Sequence, residues 1–141
     1  MTLVDTNVIS ELMRPHPNQN VVGWLDAQLA ETLYVSAVSL AEIVLGIALL
    51  PDGRRKSSLD RSFALHERAL FGARIIPFGE REARAYGDVV CRARSDGHPL
   101  SVADGQIAAT AAAGGFVVAT RDRRPFASCG LTVVDPFEVQ A

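Results

Sequence analysis

Apolar positions along the chain come in two rhythms. Leu3-Val4, Leu33-Tyr34-Val35, Ile75-Ile76, Phe116 to Thr120 and Leu131 to Val134 are short apolar runs bounded by turn residues. Their length and β-branched content predict five buried strands. Between them the spacing becomes helical. A helix is expected from about Thr6 to Met13, stopped by Pro15 and Pro17. Val21, Leu25 and Leu29 recur at i, i+4 and i+8, predicting an amphipathic helix, and Leu59, Phe63, His66 and Leu70 mark another. Ala37 to Leu50 is apolar nearly all round, which predicts a buried helix ended by the turn Pro51-Asp52-Gly53. Ala83, Tyr86, Val90 and Ala93 predict a helix ending near Asp96-Gly97, and Val102 to Ala113 one closed by Gly114-Gly115. Strands alternating with helices predict an α/β fold with a mostly parallel sheet of about five strands. The length, 141 residues, predicts a single domain over 1–141.

Four carboxylates fall where one element gives way to the next. Asp5 and Asp122 follow strand signals, while Glu42 and Asp104 fall early in helical stretches. In a parallel sheet, strand C-termini and helix N-termini share one edge, and ligands bind along it. Each acid taken singly reads as a cap or turn residue. Asp5 fits an Asx-turn, Ser39-Leu40-Ala41-Glu42 and Ser101-Val102-Ala103-Asp104 fit capping boxes, and Asp122 begins Asp122-Arg123-Arg124-Pro125. Together they are less easily dismissed, because the neighbours of Glu42 and Asp104 are apolar and predict burial. At roughly 5 Å spacing each like-charge pair costs about 3 kcal/mol at an effective dielectric near 20. A bound divalent cation removes that repulsion.

Ligand type bears on which cation. No Cys or His lies near the acids in sequence, which disfavours zinc. Carboxylates and waters suit Mg²⁺ or Mn²⁺, ions that activate water and stabilise in-line phosphoryl displacement. Thr6, Asn7, Ser101 and Thr120 could orient the acids or cap helices, and Arg121 could hold a phosphate or be a solvated surface residue. His16, His66 and His98 lie far apart with no nucleophile pattern, and no glycine loop for phosphate precedes a helix.

Bulk composition narrows the class. Hydrophobic content of 48% and charged content of 21% suit a soluble globular protein. The net charge of -2 does not suggest a nucleic-acid binder, but it hides local basic runs at Arg54-Arg55-Lys56 and at Arg121, Arg123 and Arg124. Lys56 is the only lysine, and Arg suits bidentate contact to phosphate. Cys91 and Cys129 have no metal-ligand spacing and read as reduced thiols more readily than as a disulfide. The opening Met-Thr-Leu-Val-Asp fits neither a signal nor a transit peptide, and no apolar run is long enough to span a membrane. A cytoplasmic protein is expected.

The acids and their neighbours resemble the PIN-domain nucleases, more narrowly the VapC-type toxins of bacterial toxin–antitoxin pairs, and most nearly the FitB-like branch. The matching blocks are Val4 to Leu12, Ser39 to Ile43 with Gly46-Ile47, Ala103 to Ala109, and Val118 to Asp122. The resemblance implies a three-layer α/β/α sandwich and a Mg²⁺- or Mn²⁺-dependent endoribonuclease acting on RNA. It also implies a homodimer and a VapB-like antitoxin that carries a DNA-binding domain and blocks the acidic cleft. Asp5, Glu42 and Asp104 map to the three core metal-binding acids and Asp122 to the more variable fourth. Many relatives read Thr-Arg-Asn with an Asp three residues on; here Asp122 replaces the Asn and Pro125 stands where that Asp would fall. A phosphatase of the haloacid-dehalogenase type needs a second Asp where Asn7 stands, and a response-regulator receiver needs a Lys near the last strand. The alternative that remains is a catalytically silent subunit acting mainly in an antitoxin-containing DNA-binding complex.

Overall fold

The computed structural model describes residues 1–139; Gln140 and Ala141, the last two of the expected 1–141 domain, lie outside the described residues. Five strands, β1 (Thr2–Val4), β2 (Leu33–Ser36), β3 (Ile75–Ile76), β4 (Val117–Ala119) and β5 (Val133–Val134), form one sheet in the order β3-β2-β1-β4-β5. Every pairing is parallel, so the expected α/β architecture is present. β1 lies at the centre, pairing Leu3 with Tyr34 on one side and with Val118 on the other.

The three layers follow from strand alternation, because successive side chains leave a strand on opposite faces. Val4, Leu33, Val35 and Ala119 enter a core closed by α1 (Thr6–Leu12), α2 (Gln19–Asp26), α3 (Ala37–Ala48) and α4 (Arg54–His66). Leu3, Tyr34, Val118 and Val133 enter a second core closed by α5 (Glu80–Ser95), α6 (Val102–Gly114) and α7 (Arg123–Ser128). The sheet is therefore covered on both faces, which is why its strands read as continuous apolar runs.

Several expectations need revision. The helix expected from Val21 to Leu29 ends at Asp26, and Leu29 is exposed just before a short 3₁₀ turn, Ala30–Thr32. The helix on Leu59 to Leu70 begins earlier, so that Arg54-Arg55-Lys56 forms its first turn, and it ends in a π turn, Glu67–Phe71. The residues after Asp122, read as a turn, form α7; Pro125 is tolerated because it falls in the first turn, where no intrahelical N–H is needed. α3 is not buried all round. Ile43 and Ile47 face the core, while Val44, Leu45 and Leu49 are exposed. Both thiols are free, with Cys91 exposed and Cys129 buried. Among the described residues, no helix is long and apolar enough to cross a membrane.

Candidate metal centre

β1 delivers the first acid. The strand ends at Val4, and Asp5 takes the N-cap position of α1 in extended conformation. Its Oδ1 accepts the Thr6 N–H at 2.8 Å, so the capping reading holds for one oxygen. The other oxygen, Oδ2, accepts the Thr120 hydroxyl at 2.8 Å from the end of neighbouring β4. Asp5 is only 5% exposed.

Glu42 is positioned differently. The capping box expected from Ser39 does not form, because α3 starts earlier: Ser36 is the N-cap and its hydroxyl accepts the Ser39 N–H. Glu42 therefore sits beyond the first turn with no capping duty. The expectation that it is buried also fails: the residue is exposed, and its Oε1 accepts the Thr6 hydroxyl at 2.8 Å. Asp104 stands in the first turn of α6, behind the N-cap Ser101, whose hydroxyl accepts the Asp104 N–H at 3.1 Å. It is half-buried. Next to it Gly105 lets α6 lie against α5, since a Cβ there would stand 2.9 Å from the Tyr86 ring. Asp122 precedes α7 without capping it through its side chain, and it is exposed.

The fold brings all four acids to one open cleft of about 500 Å³, lined by Asp5, Glu42, Asp104 and Asp122 with Thr6 and Asn7. Asn7 ties the margins together. Its Nδ2 lies 3.4 Å from Asp5 Oδ2, 3.2 Å from the Thr120 hydroxyl and 3.4 Å from Asp122 Oδ2, and its Oδ1 accepts the Arg121 N–H at 3.2 Å. Arg121 itself does not line the cleft. Its guanidinium lies 4.7 Å from the centre of the Phe137 ring, a cation–π contact that holds the side chain there. Ser101 and Thr120 act from behind the lining through the bonds just given.

Ser10, Glu11 and Arg14 also line the cleft and were not singled out from sequence. Asn7, Ser10, Glu11 and Arg14 follow at i, i+3, i+4 and i+7, so the helical spacing after Asp5 carried the signal. Glu11 is buried, accepts the Asn18 N–H at 3.0 Å and pairs with Arg14 at 3.3 Å.

Electrostatics single out Asp5. Burial raises its pKa from 3.8 to about 6; hydrogen bonds from Thr120 and Thr6 pull it back, and the charges of Asp104 and Glu42 push it up further. Asp104 is raised too, chiefly by burial and then by Glu42 and Asp122, against a lowering by Ser101. These acids feel each other, and no Lys or Arg forms an ion pair with any of the four among the described residues.

The lining contains no His and no Cys, so its donors are oxygens. Oxygen donors are the kind that Mg²⁺ and Mn²⁺ take. Among the described residues, however, no three His, Cys, Asp or Glu side chains stand as a group that could hold an ion as they are placed.

Comparisons with known proteins place nearly the whole chain in one family. The PIN-domain family matches residues 2–130. A VapC ribonuclease of Sinorhizobium fredii is 42% identical over 138 residues, covering 98% of this chain and 99% of that protein. Toxin FitB of Neisseria gonorrhoeae is 43% identical over 137 residues, covering 97% and 99%. The solved structure of FitAB bound to a DNA fragment superposes with a TM-score of 0.92 at 42% identity, covering 100% of this chain and 99% of that one. The chain belongs to the PIN-domain family, in the group that holds VapC and FitB.

Proposed function

We propose that the chain is a Mg²⁺- or Mn²⁺-dependent endoribonuclease and the toxin of a toxin–antitoxin pair, acting in the cytoplasm as one domain. The observation that carries this reading is Asp5. It is a buried carboxylate, pushed up to about 6, that faces other acids instead of a cation. An uncompensated buried acid is costly scaffolding, and a divalent ion is the partner that fits an oxygen-only cleft.

In this reading Asp5, Glu42, Asp104 and Asp122 would hold one or two ions, directly or through waters. When bound, they supply positive charge against the phosphoryl group and lower the pKa of water. The chain's own residues set the geometry. Thr120 and the Thr6 N–H fix the Asp5 carboxylate, and the Thr6 hydroxyl aims Glu42. Asn7 spaces Asp5 from Asp122 with an amide instead of leaving two carboxylates face to face. The cleft opens to solvent beside these acids, so a single strand of RNA can lie across them.

Two relatives support the biological setting: one is named a VapC ribonuclease and the other a toxin, FitB. FitAB was solved on DNA, which supports a VapB-like antitoxin with a DNA-binding domain as partner. The exposed Val44 and Leu45 on α3, with Leu49 just past its end, offer apolar surface to an antitoxin or to a second copy in a homodimer. The DNA-bound complex also favours a second reading, in which the chain is a catalytically silent subunit. Purified protein mixed with RNA and Mn²⁺ separates the two. Cleavage that EDTA and D5N both abolish supports the nuclease; intact RNA together with no calorimetric Mn²⁺ binding supports the silent subunit.

A further inference from the structure

The acid cleft does not end at Arg14. A groove of about 760 Å³ adjoins it between α1 and α4, sharing Ser10 and Arg14 with the cleft. A smaller pocket of about 240 Å³ borders both, sharing Thr6, Ser10 and Glu42 with the cleft and Ser10, Met13, Arg55 and Leu59 with the groove. The groove and the cleft have opposite character. Four of the cleft's lining residues are the candidate acids, whereas the groove is lined by Arg14 and Arg55, the hydroxyls of Ser10, Ser58 and Ser62, and no carboxylate at all. Its remaining walls are apolar: Leu12, Met13, Pro15 and Leu59.

One face of α4 builds the far wall, since Arg55, Ser58, Leu59 and Ser62 fall at i, i+3, i+4 and i+7. Arg55 makes no ion pair among the described residues and is exposed. It also breaks a local rule. Arg54, Arg55 and Lys56 fill the first turn of α4, which has no acid and no side-chain cap. Cations at that end oppose the helix dipole. Lys56 recovers part of the loss by bonding the Ala48 carbonyl and Asp52. Arg55 makes no such bond among the described residues.

We infer that this groove is the track for the RNA strand next to the scissile bond, with Arg55 holding a flanking phosphate. The inference rests on the nuclease reading. RNA drawn toward an acidic cleft is repelled there unless its neighbouring phosphates find cations, and Arg offers two parallel donors to a phosphate. Serine hydroxyls can meet ribose 2′-OH groups, and an apolar wall can meet a base. Arg55 is a positioning residue in this scheme, since it lies outside the acids.

The test is R55A and R55E in the full chain, with R55K as the conservative control and circular dichroism to confirm folding. Binding of a single-stranded RNA octamer is read by fluorescence anisotropy against salt, and cleavage as kcat and KM. R55A is expected to raise KM about tenfold with a smaller change in kcat, R55E to raise it further, and R55K to recover part of the loss. The slope of log affinity against log salt should fall by about 0.7 for the lost phosphate contact. A dinucleotide, which has no phosphate beyond the scissile one, should feel the substitution less than the octamer does. An R55A protein with wild-type KM and salt slope overturns the groove assignment while leaving the nuclease intact. Weaker antitoxin binding with unchanged RNA binding gives the groove to a protein partner and overturns it as well. A wild-type protein that cuts no RNA overturns the nuclease reading itself.

Discussion

Asp5 and Glu82 are both carboxylates at helix starts, and both are only 5% exposed. They are nevertheless opposites. Glu82 closes a capping box at the start of α5: its Oε2 accepts the Gly79 N–H at 3.1 Å, and Arg81 lies 3.4 Å from its Oε1. Burial pushes its pKa up, but backbone hydrogen bonds and Arg81 outweigh that and leave it lowered. Asp5 also accepts hydrogen bonds, but burial outweighs them, the charges of Asp104 and Glu42 add to it, and its pKa rises to about 6. Low exposure alone therefore does not tell a scaffold acid from a site acid. What differs is whether the surroundings compensate the burial: hydrogen bonds and a cation do so at Glu82, while at Asp5 the charged neighbours are acids.

Asp5→Asn should produce the largest contrast. RNA cleavage should fall by more than the roughly 100-fold typical of residues that merely support a metal ligand. The same change should stabilise the metal-free protein. Asp5 is raised in the folded state, so the fold binds its proton more tightly than the unfolded chain does. Wild-type stability should then decline as pH rises from about 4 to about 6, and the full penalty stands above that window. A shift from 3.8 to about 6 corresponds to roughly 3 kcal/mol. Thermal melts at pH 7.5 should favour D5N, and melts at pH 4 should show little difference; equal melts at both would break the contrast with Glu82.

Metal addition should reverse that order. At a hundred times its Kd, Mn²⁺ should stabilise the wild type by about 2.7 kcal/mol, read as a higher Tm at pH 7.5, and should do far less for D5N. E82Q should respond to Mn²⁺ as the wild type does. Thr6→Val removes the hydroxyl that aims Glu42; cleavage should slow about tenfold with the fold intact by circular dichroism. The smallest effect belongs to Glu82→Ala. Loss of its side of the capping box should cost about 1 kcal/mol in urea unfolding, with kcat unchanged. Because Glu82 is lowered, its contribution is present at neutral pH and lost in acid, the reverse of Asp5.

Much of this was legible in the residues. Leu3-Val4 followed by Asp5 marks a strand that ends at an acid, and the structure places Asp5 there. The strand-and-helix alternation carried the topology because each strand is buried on both faces. Glu42 was harder. An apolar helix was read as buried, but α3 is apolar on a face that this chain alone leaves open, as Val44 and Leu45 show. A single chain's sequence does not distinguish surface kept for a partner from core. Ser39 and Ser36 both fit an N-cap, and only the end of β2 decides between them. Arg55 reads as one of three basic residues after a turn; its direction depends on the phase of α4 against α1, which tertiary packing sets.

The central position of β1 has a consequence in time. Asp5 is made 115 residues before its hydroxyl partner Thr120, and Asp122 comes later still. At about 5–20 residues per second, that interval is roughly 6 to 23 seconds of synthesis. β1 cannot gain its β4 neighbour before then, and the cleft has only some of its walls. A nascent chain thus carries Asp5 long before the cleft that it belongs to is complete, so whatever the finished cleft does stays silent through that stretch of translation.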